Sequence, residues 1–487
     1  MLRTLKADEQ ISTRRFGGFC PYYRVDSRSG LVTVADRADE IFDSLPQEER
    51  RIDPVACLGL LCFNYPLGDR TLVEGVYRMP WHAALDGRGQ VHRFRPIPHG
   101  HRLAEPDQIA AQLKECLIVE LSEYVRGHSR VFVLLSGGLD SRVTAGILSL
   151  IQKTTPMEVH ALTWGDPRSR DVVYARSIAE HYNWNWHLLD YDAEIGWQNI
   201  GVAAEWGGAE VAGVHLHAMS QLQRLVRPDD VLIASSWGDS IGRGEFSGQH
   251  LSRLTMRPAT NKHWLIHRSI ARDCIKSAES DRKLAWSSEP DWSAEVICEL
   301  DLQENYMRRL IGHAMNYVMN FCRLEQAFTA VQTVETMWSY APFCRQTEVY
   351  FHLLEILDSF LFNLPWARSG IAPSGKVEAD GTLKTTYHHW GRWLREGRAS
   401  DLKELIVGGG LAGLGVFDMA QVRSIYRLWL EQPANALNYT ETILKLAGIE
   451  MLRRRFGISG DKDRTGFADK LASLARFRAK RLYKQFS

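Results

Sequence analysis

Between residues 130 and 234, short apolar runs take turns with stretches of helical spacing. Arg130-Val131-Phe132-Val133-Leu134-Leu135 is apolar at consecutive positions, which predicts a strand buried on both faces. Ser141 to Gln152 then sets Val143, Ile147, Leu148 and Ile151 at helical spacing. Residues 158–164 predict a second strand, 171–182 a helix and 186–189 a third strand. A helix over 214–225 and a strand over 230–234 continue the alternation. The fold class that follows is α/β, a doubly wound parallel sheet. Ligands of such sheets sit at the carboxyl ends of the strands, so Leu162, Thr163 and Trp164 stand at a binding edge.

The pattern differs on either side. The first hundred residues predict short strands over 31–35, 75–77 and 91–94, with Asp86-Gly87-Arg88-Gly89 as a hairpin turn. A polar linker from His99 to Pro106 precedes a helix over 107–126, with Ile109, Leu113, Cys116, Leu117, Leu121 and Tyr124 on one face. From Arg253 onward the chain reads as helical and aromatic.

Composition narrows the class. The 487 residues suffice for two or three domains, and 45% apolar with 24% charged is the balance of a soluble globular protein. Fifty-nine basic and 58 acidic residues nearly cancel, which gives no electrostatic case for nucleic acid as a partner. No apolar run approaches the ~18 residues of a membrane span, and Met1-Leu2-Arg3-Thr4-Leu5-Lys6 lacks a signal-peptide core. Cys20, Cys57, Cys62, Cys116, Cys274, Cys298, Cys322 and Cys344 form no C-x-x-C pair, so neither zinc nor a disulfide framework is expected. The expected setting is the reducing cytoplasm.

The candidate chemistry lies between the first strand and its helix, in Ser136-Gly137-Gly138-Leu139-Asp140-Ser141-Arg142. Unpaired N–H groups and the positive end of the helix dipole favour an anion there. Gly137 and Gly138 permit close backbone approach, Ser136 and Ser141 add hydroxyls, and Asp140 offers a carboxylate for a divalent cation. The spacing is not that of the G-x-x-x-x-G-K-[ST] loop, and no Lys follows.

This loop resembles the SGGxDS pyrophosphate loop of the N-type ATP pyrophosphatases. The longer string SGGLDSR is most similar to the synthetase domain of class B asparagine synthetases and their relatives, the β-lactam synthetases and lasso-peptide cyclases. The resemblance implies an adenine nucleotide alpha hydrolase-like fold. Residues 107–487 would be the ATP pyrophosphatase domain, with a nucleotide core over about 128–250 and a helical remainder over 251–487. ATP and Mg²⁺ are the implied cofactors. Ser136, Gly137, Gly138, Leu139, Asp140 and Ser141 would hold the pyrophosphate, and Leu162, Thr163 and Trp164 the adenine. Ser235-Ser236-Trp237-Gly238-Asp239-Ser240 resembles the family's second signature, with Gly238 and Asp239 matching and Ser240 in place of its Glu. Gly238 would border the nucleotide, and Asp140 with Asp239 would ligate the metal.

Other segments resemble the family less closely. Phe16-Gly17-Gly18-Phe19, Val34-Ala35-Asp36-Arg37 and the segment from Thr71 to Pro80 are similar to part of its Ntn-type glutaminase domain, so residues 1–100 are expected to be a truncated remnant. Arg170-Asp171 stands where that family has Asp-Glu, and His187 where it often has a His. Around Pro342-Phe343, Trp338, Tyr340 and Arg345 replace the family's Glu, Arg and Asp, so aspartate is not assumed as acceptor. Lys384 and Lys462 are the two candidate catalytic lysines for charge on the α-phosphate. Basic residues from Arg476 to Lys484 read as a solvated helix end.

The implied reaction is adenylation of a small-molecule or peptide carboxylate, followed by attack of an amine or ammonia. The alternatives are an asparagine synthetase fed with ammonia by a partner, and a binding-only nucleotide protein. A homodimer is compatible with the resemblance, and no membrane partner is expected. One expectation follows from residue 2. The glutaminase needs Cys there, and this chain has Leu2. The pure protein should release no glutamate from glutamine; release that a thiol alkylator abolishes would contradict this.

Overall fold

In the computed structural model, which describes residues 2–14, 16–95, 97–244, 257–284, 286, 292–386, 388–431 and 439–460, the N-terminal strands form two small antiparallel sheets. They are β1 (Arg3–Leu5), β2 (Gln10–Ser12), β3 (Tyr22–Val25), β4 (Val32–Ala35), β5 (Val76–Arg78), β6 (Ala83–Asp86) and β7 (Val91–Arg93). Their orders are β1-β4-β3-β5 and β2-β6-β7. The predicted hairpin turn joins β6 to β7, with Gly89 at φ +80 and its α-carbon against Val25. Leu5, Tyr23, Val32, Val34, Met79 and Leu85 make a small core between the sheets.

A purely β reading of this region is incomplete. Helix Pro54–Phe63 also lies here, capped by Asp53, which accepts from Val55 N at 2.8 Å and Ala56 N at 3.1 Å. Its residues are apolar nearly all round, so no helical period marks it in the sequence. It is buried in a cluster that also holds Leu394, Leu402, Ile443 and Leu446 from the far end of the chain.

The five remaining strands form one parallel sheet: β8 (Arg130–Leu134), β9 (Glu158–Trp164), β10 (Asn185–Leu189), β11 (Val231–Ala234) and β12 (Arg323–Gln326), in the order β10-β9-β8-β11-β12. Phe132 and Leu232 point into one core cluster and Val131, Val133, Val231 and Ile233 into another. Both faces are therefore covered, which is why these strands read as unbroken apolar runs. One face carries helices Pro106–Val125, Leu139–Gln152, Arg170–His181 and Thr347–Leu357. The other carries Ala193–Gly207, Trp390–Ile406 and Thr440–Phe456.

Two sequence expectations change here. The helix expected over 214–225 is instead two 3-10 turns, Gly213–Leu216 and Met219–Arg224. The chain breaks at His217, with φ 45, whose carbonyl accepts from Asn199 Nδ2 at 2.7 Å. β12 lies in a region read as helical. It is polar, with Glu325 paired to Arg14 at 2.9 Å and Arg323 at 2.8 Å, and its pairing with β11 makes it a strand. Among the described residues no helix is long and apolar enough to cross a membrane.

A buried ion cluster ties the linker to the helical region. Glu299 pairs with Arg345 at 2.8 Å and His99 at 2.5 Å, and Trp338 stacks on His99 with ring centroids 4.1 Å apart. Burial opposes the charge on Glu299, but Arg345 and His99 outweigh it and hold the carboxyl at about 2, below its ordinary 4.5. A depressed carboxyl contributes stability above its unfolded pKa and loses it as pH falls toward the folded one. Glu299→Gln should therefore lower the urea-unfolding free energy at neutral pH by up to about 3 kcal/mol. Its deficit against wild type should shrink between about pH 5 and pH 3. A deficit constant over that range would refute the account.

Candidate active site

Strand order reverses at β8. The chain moves from β8 to β9 and β10 on one side, then returns to β11 and β12 on the other. The two connections leave the carboxyl ends of β8 and β11 in opposite directions, and a crevice opens between them. A cavity of about 390 Å³ occupies that place. Ser136, Gly138, Asp140 and Ser141 line it from the loop after β8, and Ser235, Ser236 and Asp239 from the loop after β11. Leu162, Thr163 and Trp164 contribute the end of β9.

The loop after β8 is laced to itself. Ser141 Oγ accepts from Ser136 N at 3.1 Å and donates to Ser136 O at 3.1 Å, and Gly138 N donates to Ser136 Oγ at 3.1 Å. Arg142, fully buried, anchors it. Its guanidinium donates to the carbonyls of Gly137 (3.1 Å), Leu361 (3.1 Å), Leu364 (2.6 Å) and Pro365 (2.9 Å). Burial pulls this guanidinium down to about 10. A Cβ on Gly137 would stand 2.8 Å from Ala367 Cβ and 3.0 Å from Arg170 O, whereas one on Gly138 would meet only Ser136 Oγ, at 3.1 Å. Gly137 is thus packed behind the loop, and Gly138 faces the cavity. The first N–H groups of helix Leu139–Gln152 have no intrahelical partner, and a helix start of this kind suits a polyphosphate.

The carboxylates converge on the same space. Gly238 lies so close to Asp140 that a Cβ there would come within 2.6 Å of Asp140 Cβ and Oδ1. Tyr350 Oη donates to Gly238 O at 2.9 Å, and burial followed by the Asp140 charge holds the phenol far above its ordinary pKa. Arg243 reaches Asp140 at 3.2 Å. Asp171 also lines the cavity; burial raises its pKa against the opposing pull of the Gly137 N–H. Among the described residues no three His, Cys, Asp or Glu side chains converge as a metal site by themselves. A divalent ion held by Asp140 and Asp239 would complete its oxygen shell with phosphate and water, as suits octahedral Mg²⁺.

A family model described as asparagine synthase matches residues 112–234, the stretch from the linker helix through β8 to β11. Residues 112–234 are thus similar to an asparagine synthase domain. The glutamine-hydrolysing asparagine synthetase of Gallus gallus is 28% identical over 125 residues, 25% of this chain and 20% of that protein. The chain thus matches only about a fifth of that relative's length. Among solved structures, the U34-tRNA thiolase NcsA from Methanococcus maripaludis aligns at 14% identity over 44% of this chain and 78% of that one, with a TM-score of 0.21. NMN synthetase from Francisella tularensis aligns at 14% identity over 45% and 94%, also at 0.21. At such scores these two structures add nothing to the sheet order above.

Ser136, Gly138, Asp140, Ser141, Leu162, Thr163, Trp164 and Asp239 line the cavity. Gly137, Leu139 and Gly238 lie behind it, with the Leu139 side chain in the core. Lys384 sits outside the lining and ion-pairs with Asp166, on the loop after β9; burial works to raise that carboxyl, but the Lys384 contact holds it below its ordinary value. Lys462 and the basic stretch to Lys484 lie outside the described residues. His187 bonds His160 at 3.0 Å within the sheet, and Trp338 and Tyr340 are buried in the core.

The structure adds residues with no sequence signal. His215 and His217 line the cavity; burial holds them at about 4 and about 3, neutral at pH 7. Trp164 stacks on His217, centroids 5.1 Å apart. Tyr306, Met307, Leu310 and Ile311 form a wall from Leu302–Gly312, which runs as a π-helix, a form enriched at functional sites. Gly238→Ala tests the carboxylate packing. Its Cβ must displace Asp140, so ATP turnover should fall by about tenfold or more with the melting temperature nearly unchanged. Unaltered turnover would show that Asp140 has room to move.

Proposed function

We propose that the protein activates a carboxylate with ATP and passes the acyl group to an amine, releasing AMP and pyrophosphate. An asparagine synthase-like domain supports ATP-dependent adenylation or ligation in general. The observation that carries the finer reading is one cavity at the β8/β11 crevice that unites the loop residues Ser136, Gly138 and Ser141 with Asp140 and Asp239. The start of helix Leu139–Gln152 beside that loop suits a pyrophosphate. Trp164 and Leu162 offer apolar surface for the base. Mg²⁺ at Asp140 and Asp239 would neutralise charge on the leaving pyrophosphate.

In the first step a carboxylate oxygen bonds to the α-phosphorus, and the bond between that phosphorus and the α,β-bridging oxygen breaks. The electron pair leaves on pyrophosphate. In the second step the amine nitrogen attacks the acyl carbon, AMP leaves with its oxygen pair, and the nitrogen gives up a proton. Backbone donors fixed by Arg142 need no reorganisation as charge builds, which is the economical form of electrostatic stabilisation.

One observation favours a second reading. Arg243 already sits on Asp140, which would neutralise that carboxylate in a binding-only protein without a metal. Nucleotide products separate the two. AMP and pyrophosphate should form in a carboxylate-dependent way, and ADP as the main product would overturn the proposal. Asp140→Asn and Asp239→Asn should each lower ATP–pyrophosphate exchange by on the order of 10²-fold while folding persists. Mg²⁺-independent ATP binding with no exchange for any acid would favour the second reading.

A further inference from the structure

We infer that the acid activated here is a monocarboxylate with an uncharged, apolar body. The inference rests on the adenylation reading above and concerns the part of the substrate that does not react. Its basis is the sign of the charges around the cavity. Asp140, Asp171 and Asp239 line it, and among the described residues no Lys or Arg does. His215 and His217 are neutral at pH 7. A second carboxylate would bring that charge beside Asp140 and Asp239, and among the described lining residues no Lys or Arg is there to pair it. A buried, unpaired charge is among the most costly arrangements in a protein.

The remaining lining says what replaces it. Tyr306, Met307, Leu310, Ile311, Ala314 and Met315 present apolar surface. The helix that supplies this wall does carry cations, but it turns them away. Arg308 donates to Asp69 Oδ1, Gly68 O and Met79 O, each at 2.8 Å. Arg309 donates to Glu210 Oε2 at 2.9 Å, and both partners are buried. On the other side, the Arg243 guanidinium is on Asp140. With pyrophosphate in the loop and the base on the β9 end, in-line attack brings the acid in from the side away from the loop. The apolar wall is the lining left to receive its body.

Two measurements on the full chain test this. The first is calorimetric titration of butyrate, hexanoate, phenylacetate and aspartate into protein saturated with Mg²⁺ and α,β-methylene ATP. The second is ATP–pyrophosphate exchange with the same four acids. Hexanoate and phenylacetate should bind and aspartate should not, and affinity should rise about two- to fourfold per added methylene from butyrate to hexanoate. Ile311→Asn should raise the KM for hexanoate about tenfold and leave the KM for ATP unchanged. If that variant does not fold, the chain-length series in the wild type decides. Binding or exchange with aspartate equal to that with hexanoate overturns the inference and leaves the adenylation reading intact. Binding of the apolar acids without any exchange upholds the site's preference and sinks the adenylation reading. Failure of both apolar acids to bind overturns the inference.

Discussion

Everything at the site depends on one set of backbone hydrogen bonds, those that hold β8 beside β11. The two strands are about a hundred residues apart in the chain, yet Val131, Phe132 and Val133 pair with Val231, Leu232 and Ile233. Parallel neighbours must each end in a loop on the same edge of the sheet. Because the chain departs from them in opposite directions, those two loops are not covered by a connecting helix. The serine-glycine loop and the segment bearing Asp239 are brought face to face by this pairing.

The loop itself is held from behind. A fully buried guanidinium with four carbonyl partners is an unusual anchor, since among the described residues Arg142 has no carboxylate to offset its desolvation. What it secures is the direction in which the loop's N–H groups point. Three of the four carbonyls belong to residues 361–365, so the distant helical region fixes the geometry of the serine-glycine loop. Ser235 Oγ bonded to Thr144 Oγ1 at 2.8 Å adds a tie between the two sides of the crevice.

The N-terminal segment is fastened to the same construction. Arg308 and Arg309 reach residues 68–79, and Arg78 meets His313 Nδ1 at 3.1 Å. These contacts set the rotation of the Leu302–Gly312 helix, and that rotation turns Met307 and Leu310 toward the cavity. Charges that the sequence places on one helix therefore act as structural ties, while the apolar residues beside them shape the site.

The sequence by itself determined the β8 loop and its strand–loop–helix setting, because that information is local: an apolar run, two small residues and a helical period. It also marked Asp140 and Asp239, since each comes within a few residues of the end of an apolar strand. It carried no sign of β12, whose Arg-Leu-Glu-Gln becomes a strand only when β11 offers it a ladder. Helix Pro54–Phe63 was hidden for the opposite reason, being apolar on every side and so without a period. The break at His217, the inward-facing wall of the π-helix and the arginines turned from the cavity were decided by tertiary structure. Each depends on which residues from remote parts of the chain compete for the same buried space, and that competition exists only once the sheet has formed.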